Sequence, residues 1–224
     1  MSIDYDDVLK RLKEERQRLS LSQKEMSQFV RMNQSNYSKV ELGQRRLNFR
    51  ELEYLCVSDV DTHYIYTAQR GNGQYIDFLN QCSYYELTCF LGIIYSIVVL
   101  QNKNESTEQW KNILEKVKYV PWMEENSSTN NIFLILRHSV NCQQKKMAEI
   151  LGVDVKKLRD LENGRSLPDS ELLSRLYELF HIPPAAILKD KKGMANEISI
   201  LLDLFDIENR KIIFDFIKII HENK

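Results

Sequence analysis

Turn formers are scarce in this chain of 224 residues, which holds 7 glycines and 4 prolines. Strand-like alternation is rare too. Together these absences argue against a sheet-rich fold, and the long runs of helical periodicity argue for an all-α protein. The four cysteines (Cys56, Cys82, Cys89, Cys142) include no Cys-x-x-Cys pair and stand beside four scattered histidines. That is a poor metal set, so no metal is expected and the cysteines read as reduced thiols. Met1 to Asp7 is acidic and polar, unlike a signal peptide. The most apolar run, Leu87–Leu100, has 14 residues. It reads as a buried helix, too short to span a bilayer, so a cytoplasmic protein without a membrane partner is expected. No glycine loop for phosphates, no Gly-x-Ser-x-Gly and no His-Glu-x-x-His occurs. His138 has no acid or nucleophile partner in sequence. The expectation is therefore no enzyme and no cofactor.

The net charge of −1 gives the whole chain no bulk pull toward nucleic acid. The local balance differs. Between Lys10 and Arg50 eleven basic residues face four acidic ones, enough to meet phosphates. A charge run alone is more often a solvated helical face.

From Tyr5 to Gln69 the chain reads as short helices. Val8, Leu9, Leu12 and Leu19 make the first inner face. Ser22-Gln23-Lys24-Glu25 is a capping box ahead of Met26, Phe29 and Val30, all expected inside. Asn33 caps a third helix through Glu41 with Tyr37 and Val40 inward, and Gly43 stops it. Asn48 and Glu51 form a second capping pair before Leu52 and Leu55.

Gly71-Asn72-Gly73 is a turn that ends this unit. Two or three helices follow, including the stripe Trp110, Ile113, Leu114 and Val117. Residues 124–131 (EENSSTNN) read as a linker. A second compact unit then repeats the first. Shifting residues 12–55 by 121 places matches 133–176 without a gap, with eight identities in 44. These are Arg16/Arg137, Gln23/Gln144, Lys24/Lys145, Met26/Met147, Glu41/Glu162, Gly43/Gly164, Leu52/Leu173 and Leu55/Leu176. Core positions and the caps Asn33 and Asp154 match at the same offset, which argues for a repeat. In the tail, Ile198, Leu201, Leu202 and Phe205 make one stripe. Asp206 caps a last helix with Ile213, Phe216, Ile217 and Ile220 inward. Four segments are expected: a first unit at 1–70, a helical middle at 71–128, a second unit at 129–190, and C-terminal helices at 191–224, whose stripe either buries against the middle helices or pairs two copies.

Residues 9–66 resemble the lambda-repressor-like (Xre/Cro) helix-turn-helix domain of bacterial and phage transcription regulators. The resemblance rests on Arg16, the LSQKEM start of helix two, the stretch NQSNYSKVELGQR and a closing Leu-rich helix. Arg31-Met32 departs from the family's Gly-hydrophobic turn, and no proline precedes helix four. The resemblance implies a double-stranded DNA partner, with helix three in the major groove. Gln34, Ser35 and Asn36 then face base edges. Gln23, Asn33, Ser38, Lys39, Arg45 and Arg46 complete the DNA-binding set, the last four suited to phosphates.

The second unit resembles the same domain, and its Gly152-Val153 turn and Pro168 lie closer to the family pattern. Its reading surface is poorer, with Val155 for Gln34, Asp160 for Lys39 and Gln143 for the capping Ser22. Gln144, Lys156, Lys157, Arg159 and Arg165 remain as DNA-contact candidates, and residues 133–167 hold seven basic groups against four acidic. A homodimer is expected, since such readers bind two half-sites. The alternative is a protein-binding regulator, such as an antitoxin or a regulator answering a peptide or protein effector. The aromatic stretch Tyr64–Tyr95 would then line a groove.

Overall fold

A computed structural model describes residues 5–104, 107–117 and 132–223. The linker expected at 124–131 and the side chain of Val117 lie outside the described residues. Among the described residues there are helices and no strand. In chain order they are α1 (Tyr5–Arg18), α2 (Gln23–Phe29), α3 (Gln34–Glu41), α4 (Phe49–Cys56), α5 (Thr62–Thr67), α6 (Gly73–Leu79), α7 (Tyr84–Asn104) and α8 (Glu108–Val117). There follow α9 (Ile132–Ser139), α10 (Gln144–Leu151), α11 (Val155–Glu162), α12 (Ser170–Phe180), α13 (Pro184–Leu188), α14 (Lys191–Asp203) and α15 (Ile207–Glu222).

The first five helices begin and end where side-chain chemistry requires. α1 carries Asp6 and Asp7 in its first turn and Arg16 and Arg18 in its last, which complements the helix dipole. Both capping boxes form, Ser22 with Glu25 at α2 and Asn48 with Glu51 at α4. Asn33 Oδ1 accepts the Asn36 amide 2.8 Å away and starts α3. Each cap of this kind stabilises by about 1 kcal/mol. Gly43 ends the turn after α3 with φ +71°, a left-handed backbone suited to glycine.

Two inner faces differ from expectation. Phe29 is 39% exposed, because the short α2 turns Met26, Ser27 and Val30 inward and leaves Phe29 at its edge. On α15, Ile213 and Ile217 are buried as expected, whereas Phe216 is 50% exposed and Ile220 is also exposed. Phe214 takes the inner place instead, edge-on to Tyr75 and Phe78 of α6 at 4.7 and 5.4 Å. Those rings fix the rotation of the helix.

α7 outgrows the apolar run read from sequence. Ser83 and Glu86 cap it, and it continues to Asn104, giving 21 residues that are long and apolar enough to cross a membrane. Here Leu87, Phe90, Leu91, Ile94 and Val98 are buried, and the helix packs on α8, α14 and α15.

Of the two readings of the C-terminal stripe, its first helix takes the one in which it buries against the middle helices. α14 buries Met194, Ala195, Ile198, Leu201 and Leu202 and packs on α5, α6 and α7. Ser199 Oγ accepts the Asn72 amide at 2.8 Å and donates back to the Asn72 carbonyl at 3.2 Å. Thr62 donates to Asp190, and Lys192 Nζ reaches the Ser58 carbonyl at 3.0 Å. α14 thereby ties the first unit to the middle of the chain.

Candidate nucleic-acid interface

α3 is seated by one ion-pair network. Tyr37 and Val40 are fully buried beneath it. Glu41, at its last turn, accepts from Arg16 Nε at 2.6 Å and from Gln23 Nε2 at 2.7 Å. Arg16 also donates to the Leu21 carbonyl at 2.8 Å. Burial pushes the Glu41 carboxyl up, but the hydrogen bonds from Arg16 and Gln23 outweigh it and hold it below the usual carboxylate range. One carboxylate therefore joins α1, the start of α2 and the end of α3, and fixes how α3 projects.

With that face occupied, α3 turns its polar side outward. Gln34, Ser35 and Lys39 are exposed, and Asn36 and Ser38 are half-buried. Gln34 and Ser35 belong to the first turn of α3. Lys39 makes no ion pair among the described residues. The Asn33 side chain is committed to its cap. Gln23 gives one amide hydrogen to Glu41, and its second hydrogen and carbonyl oxygen are left for other partners.

The two arginines expected at phosphates are held by carboxylates. Arg45 clasps Glu51 with two nitrogens, at 3.0 and 2.5 Å, and so braces the cap of α4. Arg46 pairs with Glu171 of α12. Sequence order hides both contacts, since Glu51 reads there as a capping residue and Glu171 lies far along the chain. Gln44 is exposed on the same loop, its amide bonded to the Lys39 carbonyl at 2.9 Å, and nothing in the sequence pattern set it apart.

The segment 132–180 carries the same local geometry. Arg137 Nε meets Glu162 at 2.5 Å, Gln144 Nε2 meets it at 2.7 Å, and Asp154 caps α11 through the Lys157 amide at 2.7 Å. Three left-handed positions recur at the offset of 121: Ser20 and Asn141, Arg31 and Gly152, Gly43 and Gly164. Among the candidate contacts here, Lys156, Arg159 and Arg165 are exposed, while Lys157 Nζ donates to Ser166 Oγ at 2.8 Å. Gln143 makes no side-chain cap, and the first turn of α10 holds Lys145 and Lys146 and no acid.

Away from these faces, Cys82, Glu86 and His221 bring their donor atoms within 4.8 Å of one another, a grouping that chain order does not suggest. His221 Nδ1 there bonds Glu86 at 2.7 Å and so pins the last turn of α15 to α7.

A helix-turn-helix family model matches residues 12–56, the span from α1 through α4. No curated protein and no solved structure matches the chain. Residues 12–56 thus form an Xre/Cro-like helix-turn-helix domain, a fold of a non-catalytic DNA-binding family, and this domain supports a DNA-binding regulatory function in general.

Proposed function

We propose that the protein is a sequence-specific transcription regulator that lays α3 in the major groove of double-stranded DNA. The observation that carries this reading is the division of α3 into a buried face and a free polar face within the matched domain. Gln34, Ser35 and Asn36 read base edges. Gln can grip adenine with two hydrogen bonds, worth about 1–3 kcal/mol of discrimination. Ser38, Lys39 and Gln23 meet phosphates. The site works in the cytoplasm, where its DNA lies.

Selection of bound sequences from a random DNA pool tests the reading, followed by substitution. Gln34→Ala should weaken the selected site at least about tenfold and random DNA little. Lys39→Ala should weaken both and lower the salt slope by about one. Equal losses on both DNAs for Gln34→Ala would refute base reading.

The segment 132–180 is read as a second, more degenerate helix-turn-helix unit. Its ion-pair network, its cap and its three left-handed positions support that reading. Lys156, Arg159 and Arg165 are its exposed phosphate contacts.

A protein-binding role has its own support. Tyr85 and Leu100 on α7, and Ile212, Phe216 and Ile219 on α15, are large apolar side chains left exposed. The stretch Tyr64–Tyr95 supports a groove less well, since Tyr66, Tyr75 and Phe90 are core residues. A regulator that answers a protein or peptide, or that pairs with a second copy, would use the α7 and α15 faces. Sedimentation of the pure chain, before and after Phe216→Glu, separates a self-pairing face from an unpaired one.

A further inference from the structure

We infer that the two helix-turn-helix units of one chain are locked together as an internal pair, so that a single chain reads a bipartite DNA site of fixed spacing. This rests on the reading of residues 132–180 as a second DNA-contacting unit.

The lock joins the start of the fourth helix in each unit. Leu47 lies just ahead of the fourth helix of the first unit, and Ser170 opens the corresponding helix of the second, at Leu47/Pro168 and Phe49/Ser170 in the shift of 121. The Ser170 amide donates to the Leu47 carbonyl at 3.0 Å, and the Leu47 amide donates to Ser170 Oγ at 3.2 Å. Leu47 and Ser170 are 3% and 1% exposed, so this reciprocal pair of bonds is shielded from water. The Tyr5 hydroxyl meets Ser170 Oγ at 2.5 Å from the first turn of α1.

An ionic chain runs outward from this point. Arg46, next to the loop that follows α3, pairs with Glu171. Glu171 also takes Arg175 Nη2 at 2.8 Å, and Arg175 Nη1 donates to the Leu151 carbonyl at 3.0 Å. Leu151 ends α10 beside Gly152, in the turn that leads to α11. The loop after one candidate recognition helix is thereby connected to the turn before the other. A rigid connection between two groove readers fixes the distance between their half-sites, a task that separate chains achieve by dimerising. Arg46 and Ser170 are then positioning residues, and two half-sites no longer require a second copy of the chain.

The test uses the full chain on its own selected site. The expected motif has two unlike halves, and native mass spectrometry should find one chain per duplex. Inserting 5 base pairs between the halves turns one by about half a helical turn and should lower affinity at least about tenfold. In Arg46→Glu with Ser170→Ala the same insertion should cost much less, because the lock is loosened. Arg46 is well exposed, so Arg46→Glu alone keeps the fold if Ser170→Ala disturbs it. If Lys156→Ala with Arg159→Ala and Arg165→Ala leaves affinity and footprint unchanged, the second unit does not read DNA and the proposal falls with that reading. If these substitutions weaken binding but spacing has no effect, the second unit reads DNA and the lock alone is refuted. Two chains on a symmetric repeat of one half-site would also overturn it.

Discussion

A basic side chain beside the proposed recognition helix has two fates, and its partners decide which. Lys39 is exposed and makes no ion pair among the described residues, whereas Arg45 is clasped by Glu51. Lys39→Ala should therefore change the salt dependence of DNA binding, and Arg45→Ala should chiefly lower thermal stability, by about 1 kcal/mol. An unchanged melting temperature with a reduced salt slope for Arg45→Ala would return that residue to the phosphates. Backbone conformation gives a second residue-scale prediction. Ser20 holds φ +56° and is exposed, where its counterpart Asn141 tolerates that region better. Ser20→Gly should stabilise the chain by about 0.5–1 kcal/mol, read as a higher melting temperature. Arg31 sits at φ +52° in the position that Gly152 holds in the second segment, so the non-glycine residue keeps the left-handed turn. Its guanidinium lies 4.2 Å from the Tyr54 ring centroid and offsets part of the strain.

At the scale of the element, α3 is oriented by a buried charge rather than by packing alone. The side chains of Arg16 and Glu41 are 11% and 4% exposed, and removing one leaves the other with little water. Glu41→Ala should cost about 3–5 kcal/mol, since a buried ion without its partner is expensive. It should also weaken DNA binding, because Gln23 loses its anchor. Chemical denaturation of this variant and of Glu162→Ala tests the pair: a cost below about 1 kcal/mol in both would show that packing alone seats the helices. The left-handed glycine between α10 and α11 is equally constrained. A Cβ at Gly152 would fall 1.4 Å from Arg175 Nη1, so Gly152→Ala must displace the arginine that holds Leu151.

Across the whole molecule, one buried histidine links stability to acid. His63 on α5 is 3% exposed, and burial lowers its pKa from the ordinary 6.5 to about 3. Glu197 Oε2 of α14 stands 3.7 Å from Nε2, beyond hydrogen-bond distance, and does not reverse the effect of burial. The unfolded chain takes up a proton as pH falls below about 6.5, while the folded chain resists until about pH 3. Stability is therefore fully present above pH 6.5 and falls toward pH 3, by at most about 1.4 kcal/mol per pH unit. His63→Gln should flatten the slope of stability between pH 6.5 and 5, and an unchanged slope would place the acid sensitivity elsewhere.

Local rules fixed in the sequence set the helices of residues 5–56. Capping boxes, a turn glycine and short-range periodicity act over three or four residues, so Ser22, Asn33, Gly43 and Asn48 could be placed from the chain alone. The exposed face of α3 was legible for the same reason, because Tyr37 and Val40 claim the inner side. Tertiary structure decided what depends on distant partners. Arg46 meets Glu171, Phe214 displaces Phe216 beneath α6, and α14 buries its stripe against the middle helices. Periodicity names the apolar side of a helix, but only the surfaces packed against it choose its rotation. A charge in the sequence shows where an ion pair could form, and only the folded chain brings its counter-ion within reach.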